Sequence, residues 1–429
     1  MRKTRTIKAT LKSKPARNAA AKRAENAKRG SHLRGSVAIA LLGTKFMGRA
    51  HSIAWANAPK FFDLPLQIEM AWVAGRAAAD THEFGRRWGW RGSTIDWREA
   101  IANPAVQLVD IATPNHVHRE MALAALAAGR HVACEKPLAG TLKDAREMRD
   151  AARRAAKMGV HTFVWFNYRR APAIALAHTL VQQGRIGRIF HIRAAYLQDW
   201  GGAATPLAWR FQSELAGSGA HGDLNAHCID LARFISGEEV AEVVGAVEET
   251  FIKERMRVAG DGAAISGKGA SKRRARMGRS TVDDCVLFLA RMSGGAVASF
   301  ESTRLATGNK NRNCIEINGE LGSIRFNFER MNELEFWDNT LAEARRGWTS
   351  ILCTEASHPY VKNYWPAGHL IGYEHGFVSQ AADIVGVLGG GSAEVAIPDF
   401  EDAWKTQCVL EAAIQSARRR GPVAVAEIE

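Results

Sequence analysis

Val37 to Gly43 (VAIALLG) form an unbroken apolar run with β-branched positions, followed by a turn and by FMGRAHSIAWAN, where apolar residues recur at helical spacing. A short run that is apolar on both faces predicts a strand inside a parallel sheet. The pattern repeats in Ile68 to Arg76 (IEMAWVAGR), Val106 to Pro114 (VQLVDIATP) and Arg130 to Pro137 (RHVACEKP), and the intervening NHVHREMALAALAAG reads as an amphipathic helix closed by Gly129. Strands alternating with helices predict an α/β unit over 35–158, whose ligands lie outside the carboxyl ends of its strands. Beyond residue 159 the pattern changes. After HTFVWF and a helix over 172–183 closed by Gly184, the runs IFHIRAAYLQDW, EVVGAVEETFI, DDCVLFLARM, GAVASFESTRLA, CIEINGELGSIRFNF and NELEFWDN follow. They alternate apolar and polar positions as antiparallel strands do, which predicts a second, sheet-forming domain over 159–429.

With 46% hydrophobic residues in 429, the chain has material for two cores. No apolar run is long enough for a membrane span and the N-terminus lacks an apolar leader, so a cytoplasmic protein is expected. Cys134, Cys228, Cys285, Cys314, Cys353 and Cys408 show no paired spacing and read as reduced thiols. A net charge of +14 raises the question of a polyanionic partner, and its distribution changes the answer. Residues 1–34 carry +11 and residues 252–280 carry +7, which leaves the rest mildly acidic at −4. The first segment is expected to be a disordered basic extension and the second a long exposed hairpin connection. Nucleic acid is therefore not the expected partner.

Chemistry concentrates at predicted strand ends. The turn after the first strand, Gly43-Thr44-Lys45-Phe46-Met47-Gly48, keeps the outer glycines of the dinucleotide-binding pattern but has Lys45 at the middle one. At the tip of the second strand stands Arg76 rather than an acid, which leans toward NADP over NAD. Thr113-Pro114-Asn115 and Glu135-Lys136-Pro137 end two further strands. His116 and His118 form an H-x-H pair without a carboxylate or thiolate in ligand spacing, so they read as a polar contact at a helix start, and no metal is expected.

ALLGTKFMGRAH, DIATPNHVH, HVACEKPLAGTLKDAREM and GSGAHGDLNAHCIDLARF, taken in order, resemble the Gfo/Idh/MocA oxidoreductases, from about Val37 to the C-terminus. The resemblance implies an N-terminal Rossmann domain and a C-terminal α+β domain with a large, open, mostly antiparallel sheet. It further implies an NAD(P) cofactor, a carbohydrate substrate and a homo-oligomer, dimer or tetramer, assembled through the outer face of that sheet. Carried over by motif, Lys136, Asp223 and His227 are the catalytic set, and His118, Glu135 and Asn167 join the turn residues, Arg76 and Thr113-Pro114-Asn115 on the cofactor side. Two departures stand out: Lys45 in the glycine turn, and Asn225 where a glycine is common. The residue types suit the chemistry, since an imidazole can take a hydroxyl proton near neutrality and an ammonium can polarise the oxygen. Substrate candidates are Arg169, which the resemblance places near the nicotinamide, and Gln198, Asp199, Trp200, Trp209 and Arg210, whose indoles and polar groups suit a sugar. Tyr373, Glu374 and His375 form a later candidate group. The leading expectation is an NAD(P)-dependent dehydrogenase of a sugar or polyol. The alternatives are a redox-neutral glycoside hydrolase of the same family and a non-enzymatic NADP-binding protein with a nucleic-acid-binding arm.

Overall fold

The computed structural model describes residues 35–257 and 276–428. The basic extension expected over 1–34 and the central part of the basic loop, 258–275, lie outside the described residues. Six strands, β1 (Ser36–Leu42), β2 (Gln67–Ala74), β3 (Gly92–Thr94), β4 (Leu108–Ile111), β5 (His131–Cys134) and β6 (Thr162–Val164), form a sheet in the order β3-β2-β1-β4-β5-β6. Every pairing in it is parallel. The unbroken apolar runs are explained by burial on both sides: Ile39 to Leu42, Val109, Ile111, Val132 and Ala133 are completely covered. Strand order reverses at β1, flanked by β2 and β4, so a crevice opens at the carboxyl ends of β1 and β4.

The parallel sheet runs past the expected boundary at residue 158, because β6 pairs with β5. HTFVWF was assigned to the second domain, but Phe163, Val164 and Trp165 are all buried, as an interior parallel strand requires.

The second sheet has nine strands. In chain order they are β7 (Ile189–Leu197), β8 (Val240–Glu249), β11 (Cys285–Met292), β12 (Val297–Thr303), β13 (Arg312–Gly319), β14 (Gly322–Asn327), β15 (Glu333–Asp338), β16 (Trp348–Leu352) and β17 (Val423–Ala424). They lie in the order β16-β15-β14-β13-β7-β12-β11-β8-β17, antiparallel except for the β7–β12 pair. Helices Pro172–Gln182, Ala226–Ser236 and Phe400–Arg419 pack on one face. The opposite face carries exposed Val244, Val247, Leu287 and Leu289. Strands β9 (Glu254–Met256) and β10 (Met277–Arg279) pair as an antiparallel ribbon at the base of the basic loop.

The C-terminal helices return to the first domain. Helix Tyr373–Leu388 packs along helix Phe46–Phe61, and helix Phe400–Arg419 along helix Leu142–Ala156. The carboxyl edge of the parallel sheet therefore faces the start of helix Ala226–Ser236 and the ends of β7 and β12 across a cleft.

Candidate active site

The first wall of the cleft is the β1 turn. Gly43 has φ +117, and a Cβ there would stand 2.5 Å from the Ala112 carbonyl oxygen, so only glycine lets the turn pass β4. At Gly48 a Cβ would stand 2.2 Å from the Gly43 carbonyl oxygen. Both retained glycines are thus explained by close approach. Lys45, at the middle position, has a negative φ of −91, so no left-handed conformation demands glycine there, and its side chain is exposed. Helix Phe46–Phe61 starts with no side-chain cap and no acid in its first turn. Its leading amides remain available to an anion, so these residues fit the pyrophosphate of a dinucleotide. Thr44 stands beside Gly75, and Arg76 is exposed at the tip of β2.

The reacting end lies deeper. A cavity of about 680 Å³ is lined by Phe46, Met47, Thr113, Asn115, Glu135, Lys136 and Asn167 on the cofactor side. Tyr168, Tyr196, Gln198, Asp199, Trp200, Trp209, Arg210, Asp223, His227, Arg304, Asn311, Phe328 and Tyr373 line it on the other. A larger hollow of about 1120 Å³ lies on the outer face of the nine-stranded sheet, remote from the crevice the parallel sheet defines. The smaller cavity is the candidate site, because the titratable groups converge there.

Lys136 Nζ donates to the Asp223 main-chain oxygen at 2.8 Å and to its Oδ1 at 3.0 Å. Arg304 Nη2 donates to the other carboxylate oxygen at 2.7 Å. Burial would raise the Asp223 carboxyl, but Lys136, Arg304 and Arg210 outweigh it and hold it well below the usual carboxylate range. Asp223 lies in a π-helical turn, His221–Asn225, that runs directly into helix Ala226–Ser236. Asn225 replaces glycine without strain. Its φ is −62 and its Nδ2 donates to His221 Nδ1 at 3.0 Å. The Lys136–Pro137 peptide is cis.

His227 is 5% exposed, with its ring stacked on Tyr168 at 4.3 Å between centroids. It makes no hydrogen bond among the described residues. Burial, reinforced by the Lys136 ammonium and only partly opposed by Asp223, pushes its imidazole well below the ordinary histidine value. A neutral imidazole, an ammonium and an ionised carboxylate therefore meet in one cleft, the combination that proton removal from a carbinol needs.

The substrate side holds a row of hydrogen bonds. Trp200 Nε1 donates to Gln198 Oε1 at 2.6 Å, Gln198 Nε2 to Asn311 Oδ1 at 2.8 Å, and Tyr196 Oη to the same oxygen at 2.6 Å. Asp199 is bound by Lys310 at 2.7 Å. Arg210 lies over the Trp209 ring at 4.4 Å and Arg304 over Trp200 at 5.1 Å. Tyr373 is on the wall, while Glu374 and His375 are outside the lining.

Two expected site residues are not at the cleft surface. Arg169 is buried and bonded to Asp230 and Asp402, so its charge is consumed inside the C-terminal domain. Its neighbours Asn167 and Tyr168 face the cavity instead. His118 is completely buried, its ring nitrogens 2.9 Å from the Thr113 oxygen and 3.3 Å from the Leu138 oxygen. It braces two cofactor-side loops from behind. Sequence reasoning missed Arg304, Asn311 and Tyr168. Tyr168 had a signal, since it directly follows Asn167, whereas nothing local marks Arg304.

Both domains resemble known proteins. Residues 37–163 match the oxidoreductase family with an NAD-binding Rossmann fold, and residues 174–325 match the GFO/IDH/MocA C-terminal domain. The chain belongs to the Gfo/Idh/MocA family and is an oxidoreductase. Levoglucosan dehydrogenase of Pseudarthrobacter phenanthrenivorans is 42% identical over 401 residues, which cover 91% of this chain and 98% of that protein. Among solved structures, an oxidoreductase domain protein from Kribbella flavida is similar at 46% identity and a TM-score of 0.85, covering 91% of this chain and 99% of its own. A levoglucosan dehydrogenase in complex with NADH and levoglucosan is similar at 39% identity and a TM-score of 0.83, with the same coverage.

Proposed function

We propose that the protein is an NAD-dependent dehydrogenase of a sugar carbinol, with the anhydro sugar levoglucosan as the first substrate to try. The observation that carries this is the convergence of Lys136, Asp223 and neutral His227 at the carboxyl edge of a dinucleotide-binding sheet. Full-length similarity to a levoglucosan dehydrogenase supports the substrate class. NAD is favoured by the NADH in the solved complexes of that enzyme, and the expectation of NADP from Arg76 is not carried forward.

The β1 turn and the open amides of helix Phe46–Phe61 would hold the pyrophosphate, with Thr113, Asn115 and Glu135 lining the nicotinamide end. When bound, the dinucleotide supplies the acceptor for a hydride. The chain's own residues handle the proton and the oxygen. Lys136 Nζ, fixed by Asp223, lies where it can hold the carbinol oxygen and stabilise negative charge as the hydroxyl proton leaves. His227 takes that proton. Its depressed basicity then favours release to solvent, which readies it for the next cycle. Trp200 and Trp209 offer faces to the sugar ring. On the nine-stranded sheet, exposed Val247 and Leu289 support a homo-oligomer formed through that outer face, which a molar mass measured in solution tests.

The test is turnover of NAD with levoglucosan and a panel of pyranoses and polyols. Net NADH with one of them is expected, and it should be lost in Lys136→Met. Cleavage of a glycoside without net NADH would instead indicate the redox-neutral hydrolase.

A further inference from the structure

Behind Lys136 lies a buried network that the reaction as described does not use. His51, on helix Phe46–Phe61, is completely inaccessible and stands between two carboxylates. Its Nδ1 is 3.0 Å from both oxygens of Asp110, and its Nε2 is 2.9 Å from Glu135 Oε1. With both carboxylates ionised, the two ring nitrogens face only charged acceptors, an arrangement that a doubly protonated ring satisfies. The ring is enclosed by Trp165 at 4.3 Å and Phe377 at 5.7 Å, from the end of β6 and from helix Tyr373–Leu388. Among the described residues no other charged group faces it: Asp110 comes from β4, Glu135 from the end of β5, and its own helix contributes Trp55. Burial alone would lower the imidazole, but the two carboxylates outweigh it and raise it to about 9.

The inner end of this network is closed. Asp110 is completely buried, and its oxygens also accept from Trp55 Nε1 at 2.6 Å and Trp165 Nε1 at 2.9 Å. A proton entering from the cleft has no onward acceptor there, so the network is an anchor rather than a relay. The outer end is open. Glu135 lines the cavity, and its second oxygen accepts the Lys136 main-chain N–H at 3.1 Å.

We propose that His51 is a positioning residue of the oxidoreductase reaction: as an imidazolium tied to Asp110 and Glu135, it fixes the Glu135 carboxylate on the cofactor side of the cleft and, through the Lys136 amide, the backbone from which the Lys136 ammonium reaches substrate. The proposal rests on the cleft being the active site. Without the imidazolium, two carboxylates would face each other across a dry interior, and Glu135 would have to turn or take up a proton.

The test uses the full chain with isotope-labelled histidine. Nitrogen NMR is expected to show one doubly protonated ring persisting at about pH 8, where an unperturbed histidine is neutral. That signal should lose its proton near pH 9 and be absent from His51→Gln. On whichever sugar the protein oxidises, His51→Gln should lower kcat by about 10- to 100-fold with a smaller change in KM, the size expected when a reacting group is slightly misplaced. It should also lack the alkaline limb near pH 9 that is expected of the unsubstituted protein. Glu135→Gln, which keeps the volume, should reproduce the loss of kcat if His51→Gln does not fold. Absence of a doubly protonated ring at that pH, or near-normal kcat with the alkaline limb intact in His51→Gln, would overturn the proposal. Normal turnover in Lys136→Met and His227→Ala would instead overturn the reading of the cleft and leave the NMR result standing.

Discussion

His51 and His227 are both buried histidines beside the same strand-end motif, yet their neighbours drive them in opposite directions. His51 lies between Asp110 and Glu135 and is pushed up to about 9. His227 is pushed well below the ordinary value by burial and by the Lys136 ammonium. Burial disfavours the charged form in both, so the difference comes from the neighbours. A histidine between two carboxylates becomes a fixed cation suited to holding structure. A histidine beside an ammonium stays a free base suited to taking a proton. Lys136 links the two, since its amide is held from the His51 side and its ammonium acts on His227.

The largest effect should come from removing the free base. His227→Ala is expected to lower turnover by about 10²- to 10⁴-fold, the range for loss of a general base, while NADH affinity measured by fluorescence changes little. Lys136→Met should cost about 10²- to 10³-fold by removing charge stabilisation. It should also move the acid limb of kcat/KM to higher pH. If His227 is the base, that limb reports its protonation, and the substitution removes the ammonium that holds its pKa down.

Stability should show the contrast in its pH slope. The His51 contribution is fully present below the unfolded value of about 6.5 and is lost as pH rises through about 9, amounting to about 3 kcal/mol. His227, with its folded value depressed, gives the opposite slope: its contribution is present above 6.5 and lost as pH falls below it. Denaturant midpoints measured across this range should therefore fall on the alkaline side in the unsubstituted protein and stay flatter there in His51→Gln. The smallest effect belongs to Arg304→Lys. Charge is kept but the guanidinium fork on Asp223 and the contact with Trp200 are lost, so kcat/KM should fall by about tenfold at most.

The parts legible in the sequence were those set by local pattern. The β1 turn, the strand-end position of Lys136 and the i, i+4 placement of Asp223 and His227 each follow from runs of a few residues. Arg169 was misplaced because its partners, Asp230 and Asp402, come from distant helices, and no periodicity reports that its charge is consumed internally. Arg304 was missed for the same reason, since it reaches Asp223 from the end of β12. His51 stood in a quoted motif but looked like one more position on an amphipathic helix. Its role depends on Asp110 and Glu135 arriving from two other strands.

The most direct measurement uses levoglucosan deuterated at its carbinol carbons, incubated with the protein and NAD. The account predicts deuterium in the NADH formed, one atom per sugar oxidised, with the rate slowed by the heavier isotope. Deuterium retained in the sugar or lost to solvent, with sugar consumed and no net NADH, would contradict it.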